Sequence, residues 1–278
     1  MGESFDMEFD FDDLEEEAKK GKSDDDFDVD DFETSEKGVF EDVKEEPAGG
    51  SVKGQGISTY ADIVFCIDLT GSMSPIIENV KKSAIAFHDE LVKYLGNKSR
   101  DVEQLRLKVI GFRDIYVDSK PFEESKFFLI PQEIDEYKKF VMGLRATGGG
   151  DEPESGLEAL VKAIKSDWTQ EGLKKRHVIV IFTDASAHKL EKDVSGLVSG
   201  MPKNLDEAEI VWCAASQDTD VKLDQQAKRL VLFAPNSYPW SNIAAEWDLV
   251  WHEICKGGAG LDELAMSTIY NFLANSLL

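Results

Sequence analysis

The sequence predicts a doubly wound α/β domain on a mostly parallel six-stranded sheet, preceded by a disordered acidic tail. Three observations carry that expectation. Short, nearly unbroken apolar runs recur between residues 58 and 278, as strands buried on both faces of a parallel sheet require. Between them lie stretches with apolar residues at three- and four-residue intervals, the pattern of helices laid on a sheet. Ahead of the first run the charge changes sharply. Residues 1–57 hold 21 acidic and 6 basic side chains, −15 of the net −24.

That first segment has low aliphatic content and repels itself, so nothing offsets the entropy of ordering it. It closes on Pro47, Gly49, Gly50, Gly54 and Gly56, a flexible linker composition. Within it, Glu8 to Glu15 repeats as Asp26 to Glu33 with an offset of 18: acid, Phe, Asp, apolar, Asp, Asp, apolar, acid. Solubility alone needs no aromatic rings, whose exposure is unfavourable. The repeat reads as a duplicated binding motif with Phe9, Phe11 and Leu14 in one copy and Phe27, Val29 and Phe32 in the other. Apolar residues at alternate positions share one side of an extended peptide, suited to strand addition beside a basic rim. Two copies about 24 Å apart on a random-coil estimate would engage a repeated partner, such as a ring or filament, bivalently.

The elements of the domain follow in order. Ala61 to Ile67 is a buried strand, and a helix from about Ser74, with Pro75 in its first turn, carries Ile77, Val80, Ala84, Phe87, Leu91 and Leu95 on one stripe. Leu105 to Phe112 and Lys126 to Ile130 are the next strands, followed by a short helix between 132 and 144. Leu157, Leu160, Val161 and Ile164 mark another helix. Val178 to Phe182 is the clearest central strand, Ile210 to Ala214 and Leu230 to Ala234 are two more, and a last helix starts near Leu261. Ligands of such sheets bind outside the carboxyl ends of the strands.

Those ends are where the chemistry lies. After the first strand come Asp68, Thr70 and Ser72, one carboxylate and two hydroxyls on a strand-to-helix turn. The central strand ends in Thr183-Asp184, and a loop from Gly148 to Glu154 leads into the Leu157 helix. All are oxygen donors, the choice of hard cations such as Mg²⁺, Mn²⁺ or Ca²⁺.

Asp68-Leu69-Thr70-Gly71-Ser72 resembles the D-x-[ST]-x-S signature of the von Willebrand factor A domain, where it forms a metal-ion-dependent adhesion site, and Phe182-Thr183-Asp184 resembles that family's later aspartate loop. Gly111-Phe112-Arg113-Asp114 and the Gly148 to Glu154 run are similar to the variant in alpha-kinase-linked and bacterial members. Some bacterial members act beside AAA-type ATPases of the MoxR group or in stress-response gene sets. The resemblance implies a Rossmann-like fold, a bound Mg²⁺, Mn²⁺ or Ca²⁺, and protein partners captured through it. The family usually places a threonine ligand in the middle loop. Here Asp151 occupies that slot, with Thr147 as the second candidate. If Asp151 ligates, the site carries three carboxylates, binds its cation more tightly and captures an acidic ligand less well. An extra charge at ~4 Å opposes such a ligand by ~4 kcal/mol at an effective dielectric near 20.

Other classes are disfavoured. A chain this acidic repels phosphate, so no direct nucleic-acid role is expected. No apolar run approaches the roughly 20 residues of a membrane span, and no secretory leader opens the chain, so a cytoplasmic protein is expected. Three cysteines without a C-x-x-C pair argue against a disulfide framework, and Cys66 and Cys213 read as reduced core thiols. No phosphate loop, nucleophile elbow or evident general base appears, so the expected role is not enzymatic. A metal-assisted hydrolase or phosphatase is the alternative, with a tail that blocks the metal site as a further one. Arg113 and Asp114 either brace the metal loops, contact a partner or form a plain surface ion pair. His88 reads as solvated, and His188 lacks partners at zinc spacing. Trp240, Trp247 and Trp251 read as core, the latter two at helical spacing. The expected protein is thus a cation-dependent adaptor or scaffold with an acidic, bivalent arm.

Overall fold

A computed structural model describes residues 59–82, 84–86, 102–150, 152–190, 200–213 and 221–255. The tail motifs, His88, Asp151 and the helix expected from Leu261 lie outside them. In chain order the elements are β1 (Thr59–Asp68), a 3₁₀ turn (Gly71–Met73), helix α1 (77–82 and 84–86) and β2 (Val102–Phe112). Next come β3 (Phe122–Glu124), β4 (Phe128–Ile130), α2 (Ile134–Gly143), α3 (Gly156–Ile164) and β5 (Lys174–Phe182). The last are α4 (Leu205–Cys213), β6 (Lys228–Ala234), α5 (Trp240–Glu246) and β7 (Val250–Ile254).

These seven strands form one sheet in the order β3-β2-β1-β5-β6-β7, with β4 also paired to β2. The β1–β2, β1–β5, β5–β6 and β6–β7 pairs are parallel; β3 and β4 run antiparallel to β2. The fold is the expected mostly parallel, doubly wound α/β sheet. The apolar runs explain themselves by facing both ways. Ile63, Phe65, Ile67, Val178, Val180 and Phe182 join α1 and α2 in one core, whereas Val64, Cys66, Ile179 and Ile181 meet α3, α4 and α5 in the other. From β1 the chain first adds β2 on one side, then returns to add β5 on the other. The crevice at that reversal, above the ends of β1 and β5, is where such sheets take ligands.

Several expectations need correction. Of the strand expected from Ile210 to Ala214, the described part, 210–213, is helical: Leu205–Cys213 is helix α4, burying Ala208 and Trp212 four residues apart while Ile210 is 62% exposed. Asn204 Oδ1 accepts from the Glu207 amide at 2.8 Å, and Glu207 Oε2 from the Lys203 amide at 2.8 Å. That capping outweighs the β-branched residues inside the run. Cys213 is accordingly exposed on a helix, while Cys66 is buried as expected. The expected strand Lys126 to Ile130 shortens to β4. Ser125 Oγ accepts from the Val109 amide at 2.9 Å, so its side chain bridges the break between β3 and β4. Strands β3 and β7 were not expected. Trp247 ends α5 and stacks on Trp212 with ring centroids 5.9 Å apart, but Trp251 lies on β7 and is 46% exposed, so the two do not share a helix. The helix expected from Ser74 begins at 77, because the 3₁₀ turn comes first. No helix among the described residues is long and apolar enough to cross a membrane.

Candidate metal centre

Asp68 is the last residue of β1 and 0% exposed. Its Oδ1 accepts from the Thr70 amide at 2.9 Å and from Thr70 Oγ1 at 2.7 Å. Its Oδ2 accepts from Thr183 Oγ1, just past β5, at 2.7 Å. Thr70 Oγ1 lies 3.1 Å from Ser72 Oγ, and Ser72 Oγ donates to Asp184 Oδ1 at 3.0 Å. An unbroken string of oxygens therefore runs from Thr183 through Asp68, Thr70 and Ser72 to Asp184. Four residues singled out from the sequence, Asp68, Thr70, Ser72 and Asp184, meet here, and they come from two loops 112 residues apart.

The third loop is held against the first by its backbone. The Thr147 amide donates to Leu69 O at 2.8 Å, and the Gly71 amide donates to Gly148 O at 3.0 Å. Gly148 and Gly149 adopt φ of 79° and 77°, a left-handed conformation that glycine alone takes without strain. At Gly149 a side chain would also have no room, since a Cβ would lie 2.9 Å from both Thr70 Cβ and Glu154 Oε1. The Gly149 amide donates to Asp118 Oδ2 at 2.9 Å. Arg113 braces the same loop from inside: Nε donates to Thr147 O at 2.7 Å and NH2 to Arg145 O at 2.9 Å, with Glu123 as its ion-pair partner at 2.7 Å. Only 7% exposed, it is a buried strut and no surface pair. Thr147 itself is exposed.

Three further acids stand at this rim, none of them a ligand candidate from the sequence: Asp114, read there as a brace or surface partner, Asp118 and Glu154. Glu154 is 4% exposed and its Oε2 has no hydrogen-bond partner. Its amide donates to Ser186 O at 3.0 Å and its carbonyl accepts from the His188 amide at 2.8 Å, which stitches the middle loop to the Asp184 loop. His188 lies 3.3 Å from Asp114 and packs on Tyr116 with ring centroids 4.6 Å apart. A glutamate in the loop leading into an amphipathic helix was visible in the sequence. Nothing there distinguished it from a solvated acid.

The carboxyls of Asp68, Glu154 and Asp184 are held above their ordinary range. Burial pushes Asp68 up to about 6, with the charge of Asp184 adding to it and the Thr70 and Thr183 bonds opposing. Burial likewise raises Glu154 to about 8, helped by Asp68, Asp114, Asp118 and Asp184. Asp184 is raised by burial against its bond from Ser72. Buried carboxyls without a nearby cation must either keep a proton or gain a counter-charge. A hard divalent cation would supply that counter-charge, and the all-oxygen donor set fits one. Among the described residues no three His, Cys, Asp or Glu side chains converge as a metal cluster; the fit rests on two carboxylates with two hydroxyls.

Comparison with known proteins agrees with this geometry. A family model described as the von Willebrand factor A domain matches residues 62–200, half of the chain. The alpha-protein kinase vwkA of Dictyostelium discoideum is 30% identical over 136 residues, which cover 48% of this chain and 20% of the kinase. The putative ariadne-like RING finger protein R811 of Acanthamoeba polyphaga mimivirus is 27% identical over 129 residues, 46% of this chain and 11% of its own. The chain thus spans a fifth or less of the curated relatives it matches. Among solved structures, the pilus adhesin SpaC from Lactobacillus rhamnosus GG shares the fold with a TM-score of 0.50 at 11% identity, over 80% of this chain and 31% of the adhesin.

Proposed function

This chain belongs to the von Willebrand factor A domain family, and from that premise we propose that it is a divalent-cation-dependent protein-interaction module, with Asp68, Thr70, Ser72 and Asp184 as cation ligands. One observation carries the reading. Asp68 is 0% exposed, yet the partners on its two oxygens are hydroxyls and an amide, none of them cationic. Mg²⁺ supplies the missing charge, with Mn²⁺ or Ca²⁺ as alternatives, and offers a partner's oxygen an electrophilic point at the rim. The chain's own residues prepare that point: Thr183 orients Asp68, and Ser72 links the first loop to Asp184. The middle loop carries the remaining ligand, with Asp151 and Thr147 as the residues that the family pattern suggests.

The role is binding, as an adaptor or scaffold in a multi-protein assembly, with no reaction assigned. The paired Phe/Asp motifs at Glu8–Glu15 and Asp26–Glu33 act as a second, bivalent arm for a repeated partner, an ATPase ring or filament being one that fits the spacing. The unpaired thiols of Cys66, Cys213 and Cys255 support a reducing compartment such as the cytoplasm. Capture of partners from native extract, with and without EDTA and with and without residues 1–57, tests both halves. Metal-dependent capture by the domain and salt-sensitive capture by the tail are expected. Capture indifferent to EDTA defeats the metal reading, and capture indifferent to the tail defeats the arm.

A further inference from the structure

We propose that Glu154 is the middle-loop ligand of the cation, in the position for which the family pattern suggests Asp151 or Thr147. The inference rests on the metal reading above and names a ligand that reading leaves open.

Three observations converge on this side chain. Glu154 is 4% exposed, and its Oε2 has no hydrogen-bond partner; a buried orphan carboxylate oxygen is costly unless something fills its coordination. It is aimed at the site. The point at which a Gly149 Cβ would sit is 2.9 Å from Glu154 Oε1 and 2.9 Å from Thr70 Cβ, so the carboxylate and the residue whose hydroxyl bonds Asp68 flank the same glycine. Its backbone is pinned rather than free to swing. Bonds to Ser186 O and from the His188 amide, in a bridge to Ala187, lock Glu154 to the loop that carries Asp184.

The competing candidates are placed differently. Thr147 is exposed, and its amide and carbonyl tie the loop to Leu69 and Arg113. Asp118 is engaged with the Gly149 amide at 2.9 Å, and Asp114 with the Tyr116 amide at 2.8 Å and with His188. Of these acids, Glu154 is the one whose fully buried carboxylate oxygen has no partner. Among the described residues Asp68, Asp184 and Glu154 do not converge as a three-acid cluster, so Glu154 would have to move toward the other two to join them around a cation.

The test is Mn²⁺ binding to the full chain by calorimetry and by the loss of the free-ion electron paramagnetic resonance signal, on wild type, E154Q, E154D, D151N and T147V. Glu154→Gln keeps the shape and removes the charge, and is expected to weaken Mn²⁺ binding about 10- to 100-fold. Its melting temperature in EDTA should not fall, because the amide keeps the shape and places no charge in the buried site. Glu154→Asp keeps the charge and withdraws it by one methylene, and it should also bind more weakly, whether or not E154Q folds. D151N and T147V should bind as wild type does. Wild-type affinity in E154Q or E154D overturns the assignment and leaves the metal reading standing. Loss confined to D151N or T147V overturns it in favour of that residue. A wild-type chain that binds no Mn²⁺ overturns both.

Discussion

Thr183 Oγ1 donates to Asp68 Oδ2 at 2.7 Å, joining the end of the central strand to the end of its neighbour across 115 residues of chain. The same hydroxyl accepts from the Ala185 amide at 3.1 Å. Thr183→Val retains the volume but leaves a buried carboxylate oxygen and a buried amide without partners. Equilibrium urea unfolding of the metal-free chain should show a loss of about 2 kcal/mol.

Asp184 is the second carboxylate of the proposed centre. At a free Mg²⁺ concentration a hundred times its dissociation constant, stabilisation of about 2.7 kcal/mol follows from mass action. The melting temperature should therefore rise with Mg²⁺ and return with EDTA. In D184N the rise should be much smaller at the same Mg²⁺. A wild-type melting temperature indifferent to Mg²⁺, Mn²⁺ and Ca²⁺ would contradict the centre.

Gly149 combines φ of 77° with a Cβ position 2.9 Å from Thr70 and Glu154. The backbone strain of Gly149→Ala alone costs about 1–2 kcal/mol, and the crowding adds to it. Thermal unfolding should register that loss, whereas Gly143→Ala, where a Cβ meets nothing within 4 Å, should leave stability intact or raise it.

Arg113 holds two carbonyls and a glutamate with one planar group. Lysine cannot reproduce that fork. R113K should loosen the loop, seen as faster hydrogen exchange at the Gly148–Gly150 amides while the β1 and β5 amides stay protected.

At the opposite end of the sheet, His177 is 0% exposed and packed on Trp168 at 5.0 Å. Its Nδ1 accepts from the Asp224 amide at 3.1 Å, and its Nε2 faces Thr169 O at 3.1 Å, so the neutral ring with Nε2–H satisfies both. Burial pushes its pKa down from 6.5 to about 4, against the charges of Asp62 and Asp224 and with that of Lys175. Above pH 6.5 the ring is neutral in both states and stability is full. As pH falls from 6.5 toward 4 only the unfolded chain takes the proton, and about 3 kcal/mol is lost. The buried acids Asp68, Glu154 and Asp184, whose folded-state pKa values are raised, shift stability the other way over the same range, so the difference between wild type and H177Q isolates the ring. Urea titrations at pH 7 and pH 4.5 should show H177Q losing less on acidification than wild type.

How much was legible in the sequence varied with the range of the forces involved. The first motif was readable because Asp68, Thr70 and Ser72 are neighbours whose spacing reflects one turn. Asp184 was readable because the apolar run before it marks a strand end. Glu154 was not, since its burial comes from loops folded over it. At α4 the local signal of Ile210-Val211-Trp212 favours a strand, while the Asn204 cap and the burial of Ala208 and Trp212 settle it as a helix. The edge strands β3 and β7 are short, and their pairing to β2 and β6 has no local signature.

By itself the sequence determined the α/β alternation, the two-faced burial of the central strands and the oxygen-rich turn after β1, because hydrophobic periodicity and motif spacing act over a few residues. Tertiary structure alone decided which carboxylates share one low-dielectric pocket, that Arg113 faces inward and that Glu154 is buried with an unpaired oxygen. Those depend on desolvation and on contacts between segments tens to more than a hundred residues apart, which no local pattern encodes.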